Sequence, residues 1–173
     1  TVTWEDGKSG GYSQANAPFY NSSTREYTKY TAGNGNTLEA SDDVANVILH
    51  GDWQIPTTEI WQALNTSSYT RTEKTKNGKD GWEIKNNSTN NSIFLPAAGY
   101  VYDTNFSRVG SYGGYWSRTA ATVFYAYCLY FTSRSINVER NERYYGFSVR
   151  PVRLVEVSAA TTEGYNENDF KWE

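Results

Sequence analysis

The stretch Val123-Phe124-Tyr125-Ala126-Tyr127-Cys128-Leu129-Tyr130-Phe131-Thr132 decides how this chain is read. Successive side chains of a strand point to opposite faces, so Tyr127, Leu129 and Phe131 share one face, and Ala126, Cys128, Tyr130 and Thr132 share the other. A turn near Ser133 follows, after which Ile136 and Val138 repeat the alternation around Asn137. Two antiparallel strands are the direct consequence. Upstream, Tyr69 to Thr75 and Trp82-Glu83-Ile84-Lys85 flank Asn77-Gly78, the dipeptide that closes tight hairpins. Ile93-Phe94-Leu95-Pro96 and Gly113-Gly114-Tyr115-Trp116-Ser117 read as further strands, and Gly146 to Val155 as a last strand in the same sheet.

Helix signals lie ahead of this strand-rich half. Ser41 caps a helix over residues 41–50, with Asp42 and Asp43 in its first turn against the positive end of the dipole. Val44, Val47 and Ile48 form its apolar face and Gly51 its stop. The two aspartates suit capping better than acid/base chemistry. Pro56 then ends a short extended piece, and Thr57 caps a second helix that turns Ile60, Trp61, Ala63 and Leu64 inward. The expected fold class is therefore α+β, with two short N-terminal helices packed on twisted antiparallel β-hairpins. Residues 1–36 are expected to be an irregular N-terminal segment that packs on the domain through Trp4, Phe19, Tyr20, Tyr27 and Tyr30. Residues 37–155 form the domain and 156–173 a polar C-terminal tail.

Composition narrows the function. The chain of 173 residues suits one domain, and its 15 Tyr, 7 Phe and 6 Trp put aromatic bulk where aliphatic bulk is usual. A net charge of -3 gives no general attraction to phosphate backbones, so no nucleic acid is expected as partner. No apolar stretch approaches the ~20 residues of a spanning helix, so no membrane insertion is expected. A chain that starts Thr1-Val2-Thr3-Trp4 is expected to be a piece of something longer. One cysteine and one histidine predict no disulfide and no zinc site. Asp103-Thr104-Asn105 offers two oxygen ligands, short of the six or more that calcium prefers, so no metal and no cofactor are expected. His50 lacks a nucleophile motif to serve, and no catalytic residue is assigned.

Three phrases in order carry a family likeness: Trp53-Gln54-Ile55-Pro56-Thr57 with Glu59 and Trp61, Ile93-Phe94-Leu95-Pro96-Ala97-Ala98-Gly99-Tyr100, and Gly114-Tyr115-Trp116-Ser117 leading to Gly146-Phe147-Ser148-Val149-Arg150-Pro151-Val152. The chain resembles the Fibrobacter succinogenes major paralogous domain family, which implies a C-type-lectin-like fold and a place in secreted or surface proteins of the Bacteroidetes. Thr37-Leu38-Glu39 followed by Asp42-Asp43-Val44-Ala45 matches as well, so the likeness spans residues 37–155. The C-terminal half is also similar to the variable proteins of diversity-generating retroelements. In those, error-prone copying of Asn-type codons rewrites solvent-facing positions on a fixed scaffold.

The resemblance implies that Trp116, Ser117, Ala126, Tyr127, Leu129, Phe131, Arg143, Gly146, Phe147, Val149 and Arg150 are scaffold. Arg118, Phe124, Tyr125, Cys128, Tyr130, Thr132, Arg134, Ser135, Asn137, Glu139, Arg140, Asn141, Glu142 and Tyr145 then make up the expected ligand-binding set. Glu139 and Glu142 depart from the pattern, since adenine changes in an Asn codon do not reach Glu; ordinary divergence is the alternative. Tyr, Asn, Ser and Arg side by side supply rigid aromatic area and adaptable hydrogen bonding. The expected function is thus a non-enzymatic, receptor- or adhesin-type domain, extracellular, on a cell surface or on a phage virion, that binds a protein or glycan ligand of a cell surface. The alternatives are an assembly module of a larger bacterial surface protein and an oxidase similar to formylglycine-generating enzymes. The latter act through paired cysteines, and Cys128 has no partner. Oligomeric state stays open.

Overall fold

A computed structural model describes residues 11–31 and 36–153. A 3-10 turn over Gln14–Asn16 leads into a small hairpin, β1 (Tyr20–Asn21) and β2 (Glu26–Tyr27). Next come α1 (Val44–Leu49), β3 (Trp53–Gln54) and α2 (Thr58–Ala63). β4 (Tyr69–Lys76), β5 (Lys79–Asn86) and β6 (Ser92–Pro96) form an antiparallel meander. A short hairpin, β7 (Tyr100–Tyr102) and β8 (Asn105–Ser107), precedes a second three-stranded sheet made of β9 (Tyr112–Ala120), β10 (Tyr125–Thr132) and β11 (Ile136–Glu142). In that sheet β10 lies between β9 and β11, and both pairings are antiparallel. β12 (Val152–Arg153) pairs with β3.

The molecule is mostly β, 47% strand against 11% helix. This corrects the expected α+β, C-type-lectin-like arrangement of two helices packed on hairpins. Each helix has only six residues, and α1 buries Ala45 alone while Val47, Ile48 and Leu49 stand 44%, 52% and 45% exposed. Of the apolar spacing predicted for α1, Val44 is half-buried, whereas Val47 and Ile48 stay exposed. α1 also starts later than expected. Asp43, not Ser41, is its N-cap, with a carboxylate that accepts from the amides of Ala45 and Asn46 and, across the following loop, from Ile55. Asp42 stands outside the helix, held by Lys29 Nζ at 2.5 Å and by the Tyr30 hydroxyl. Thr57 caps α2 by accepting from the Ile60 amide, and Trp61 and Leu64 face inward, but Ala63 is exposed.

The Asn-Gly reading of the β4–β5 turn matches the backbone: Asn77 and Gly78 take φ of 51° and 70°, the left-handed pair of a two-residue hairpin. The last expected strand does not form as one piece. Residues 146–151 touch the sheets through single bridges, Gly146 with Val101 and Ser148 with Tyr115, and ladder pairing resumes only in β12. Pro151, which has no N–H to donate, sits just before it. Trp4, Leu154, Val155 and the whole 156–173 tail lie outside the described residues.

Two apolar clusters flank the β9–β11 sheet. On one side Leu129, Phe131, Tyr115 and Ile136 pack with Trp61 and Leu64 from α2 and its end and with Ile84, Ile93 and Leu95 from the meander. Both indole N–H groups at this seam are satisfied, Trp61 Nε1 by the Trp116 carbonyl and Trp82 Nε1 by that of Thr132, each at 3.2 Å. Gly113 lies opposite Phe131, and a Cβ there would stand 2.1 Å from the phenyl ring. On the other side Cys128, Tyr112 and Phe147 are buried among Tyr100, Trp116, Tyr130 and Tyr145. The N-terminal segment docks through paired hydrogen bonds between Tyr12 and Asp103 and through the buried Tyr27.

Candidate recognition face

Strand register assigns the faces. Cys128 pairs with Glu139, Tyr130 with Asn137 and Ala126 with Asn141, so these side chains share the face opposite the Leu129 and Phe131 core. Tyr125 pairs with Glu142 and Tyr127 with Arg140, which places Tyr125, Arg140 and Glu142 on the core side, at the end of the sheet beyond Val138. The fourteen expected binding residues therefore do not form one surface. Arg140 lies over the Tyr125 ring at 5.6 Å, a local pair on that second face. Phe124 is exposed in the β9–β10 loop, and Arg134 and Ser135 sit in the β10–β11 turn.

Two members of the set are corrected. Cys128 is 0% exposed; burial first, and Glu139 second, push its thiol up to about 12, so it is neither a contact nor a nucleophile. It was grouped with Tyr130 by alternation, which sorts faces but does not say what covers them. Arg118 is a scaffold residue. Its guanidinium donates to the Gln54 side chain and the Leu38 carbonyl and stands 3.7 Å from the Asp43 carboxylate.

What remains on the shared face is Tyr130, Thr132, Asn137, Glu139 and Asn141. The Tyr130 hydroxyl donates to Glu139 Oε1 at 3.3 Å and accepts from Asn137 Nδ2 at 3.4 Å, while its ring stacks on Tyr112 with centroids 5.7 Å apart and planes 12° apart. Burial, then the neighbouring Glu139 charge, raise the Tyr130 phenol above its ordinary value, so it stays a neutral donor at physiological pH.

From Tyr112 the rings continue. Tyr100 meets Tyr112 and Tyr145 edge-on at 5.5 Å each, and Tyr145 lies against Tyr102 at 5.3 Å and Tyr144 at 5.2 Å. Tyr102 ends the strip 47% exposed. The Tyr144 phenol is pushed up to about 12, by burial and then by Glu142. The rings run from the β10–β11 face to the β7–β8 hairpin over the buried Tyr112, with Tyr100, Tyr130 and Tyr145 half-buried and Tyr102 exposed. Tyr145 thus belongs to the surface, but as one ring among several. Tyr100, Tyr102 and Tyr112 were not in the expected set, although the period-2 spacing of Tyr100-Val101-Tyr102 places the first two on one face.

Among the described residues no group of three His, Cys, Asp or Glu is placed to hold a metal ion, and no helix is long and apolar enough to cross a membrane. A family model described as Domain of unknown function (DUF8237) matches residues 64–152, just over half of the chain. The chain belongs to the DUF8237 family. Its DUF8237 segment contains both three-stranded sheets and the aromatic strip, whereas β1 to β3, α1 and α2 precede it. No curated protein and no solved structure matches this chain.

Proposed function

We propose that this DUF8237 chain is a non-enzymatic binding module that holds a protein or glycan ligand on the β10–β11 face and the tyrosine strip beside it. The observation that carries the reading is the Tyr130 hydroxyl, bracketed by Asn137 and Glu139 on a half-exposed face whose neighbours are stacked rings. Such a face combines aromatic area of low entropy cost with donors and acceptors already arranged, as recognition surfaces do. The likeness of the three sequence phrases to the Fibrobacter succinogenes paralogous domains and to retroelement variable proteins supports the same reading. It also supports display outside the cell or on a virion.

The test is capture from a panel of glycans and cell-surface proteins by the unaltered chain and by a variant with Asn137→Ala, Glu139→Ala and Asn141→Ala. These residues sit at the surface of a strand whose core-facing neighbours are untouched, so the fold persists. The expected result is loss of capture; capture that is unchanged overturns the proposal. A second reading, an assembly module, draws on the exposed Val47, Ile48 and Leu49 of α1, and predicts association that Ile48→Glu abolishes while the triple variant leaves it intact.

A further inference from the structure

Where Ala126 ends the β10–β11 face, a cavity of about 260 Å³ opens between the N-terminal segment and the β9–β10 end of the sheet. Phe19, Leu38, Val44, Ile55, Trp116 and Val149 supply an apolar wall. Into this wall is set Arg143, whose guanidinium lies 4.1 Å from the Tyr27 ring and 6.0 Å from that of Tyr30. One of its nitrogens, Nη1, donates to the carbonyls of Lys29 and Val123 at 3.2 and 3.0 Å. Its other donors have no acceptor among the described residues, and no carboxylate of these residues is in ion-pair range of it. Asp42 also borders the cavity, but its carboxylate is taken by Lys29 and Tyr30. Arg118, on the same wall, has an enclosed Nε–H without a hydrogen-bond acceptor.

Arg143 is half-buried, with donors left over beyond its two carbonyl contacts, and a charged guanidinium recognises carboxylates through paired donors. We infer that the cavity is a binding site for a small monocarboxylate with an apolar body, its acid group on Arg143 and its body against the apolar wall. Size agrees with this: a dry cavity of ~150 Å³ takes a benzene ring, so the present one has room for a ring with a short acid arm. The carboxylate could belong to a free acid or to the end of a peptide, and the chemistry at Arg143 is the same. Nothing in this inference depends on the function of the β10–β11 face.

The experiment is titration of the whole chain, followed by NMR and calorimetry, with phenylacetate, with phenylacetamide, and with an Ala-Ala-Phe peptide whose terminus is free or amidated. Saturable binding of phenylacetate, with the amide at least about tenfold weaker, is expected from loss of one charge-assisted pair. Binding of the free-ended peptide and not of its amide supports the site with a chain end as the source. Because Arg143→Gln removes two carbonyl contacts and could unfold the loop, Ala126→Leu, which fills the cavity from β10, is the second variant; it should weaken phenylacetate about tenfold or more. Equal binding of acid and amide, no saturable binding, or binding unchanged in Ala126→Leu overturns the assignment.

Discussion

Tyr130 and Tyr112 stack across the β9–β10 pairing with their ring planes 12° apart, which makes the centre of the proposed recognition face part of the second core cluster. Ring and hydroxyl of Tyr130 therefore have separate duties. Tyr130→Ala should cost about 1–3 kcal/mol in urea unfolding, from lost aromatic burial and stacking. Tyr130→Phe keeps the ring and should stay within about 0.5 kcal/mol of the parent chain while removing both hydroxyl hydrogen bonds. Equal destabilisation by the two variants would contradict this division.

Gly113 faces the Phe131 ring with no space for a side chain. Gly113→Ala should destabilise by about 1–3 kcal/mol, because Phe131 is fully buried and cannot swing aside. Adding Phe131→Leu should recover part of that loss, since the two positions share one volume. Strict additivity in the double variant, measured by urea unfolding, would show that the clash is relieved elsewhere.

The Cys128 thiol, buried and pushed up to about 12, is protonated at neutral pH and shielded from reagents. A chromogenic disulfide at mildly alkaline pH should find no reactive thiol in the folded chain and one in guanidinium. Prompt reaction of the native protein would place Cys128 at the surface.

Asp42 gives the chain an acid dependence. Hydrogen bonds from Lys29 first, then Tyr30, hold its carboxyl below the ordinary carboxylate value. The folded state therefore binds this proton less readily than the unfolded state. Its contribution is complete above the unfolded pKa of about 4 and is lost as pH falls through the folded value. The stability gap between the parent chain and Asp42→Asn should thus be widest at neutral pH and close on acidification. A gap that stays constant on acidification would exclude this linkage.

Asp43 ties α1 to the chain beyond β3, through the amides of Ala45 at 3.0 Å and Ile55 at 2.9 Å. Asp43→Ala leaves those buried donors without a partner, and should cost about 2–4 kcal/mol in urea unfolding. A cost below about 0.5 kcal/mol would mean that water or another acceptor takes over.

The strands of the C-terminal half were legible because side-chain alternation is a local property: Leu129, Phe131, Ile136 and Val138 report their common face by spacing alone, and Asn77-Gly78 reports its turn by backbone preference. Helix spacing was legible in the same way, yet it misled at α1. An apolar stripe of Val44, Val47 and Ile48 states which side of a helix could be buried, not whether anything lies there. The same limit explains Cys128 and Arg118, which depend on a second ring cluster and on the loops after residue 36; Arg140 and Tyr125 were grouped with Tyr130 against the alternation itself, which sets them with Val138 and Tyr127.

By itself, then, the sequence determined where β10 and β11 run, their pairing through the turn near Ser133, the start of β9, and which residues alternate. Only the tertiary structure decided which face is open, because cover comes from segments distant in the chain: Tyr100 and Phe147 over Cys128, and Tyr27 and Tyr30 against Arg143. Local periodicity carries no information about such contacts, which form when separate aromatic segments bury one another's surface.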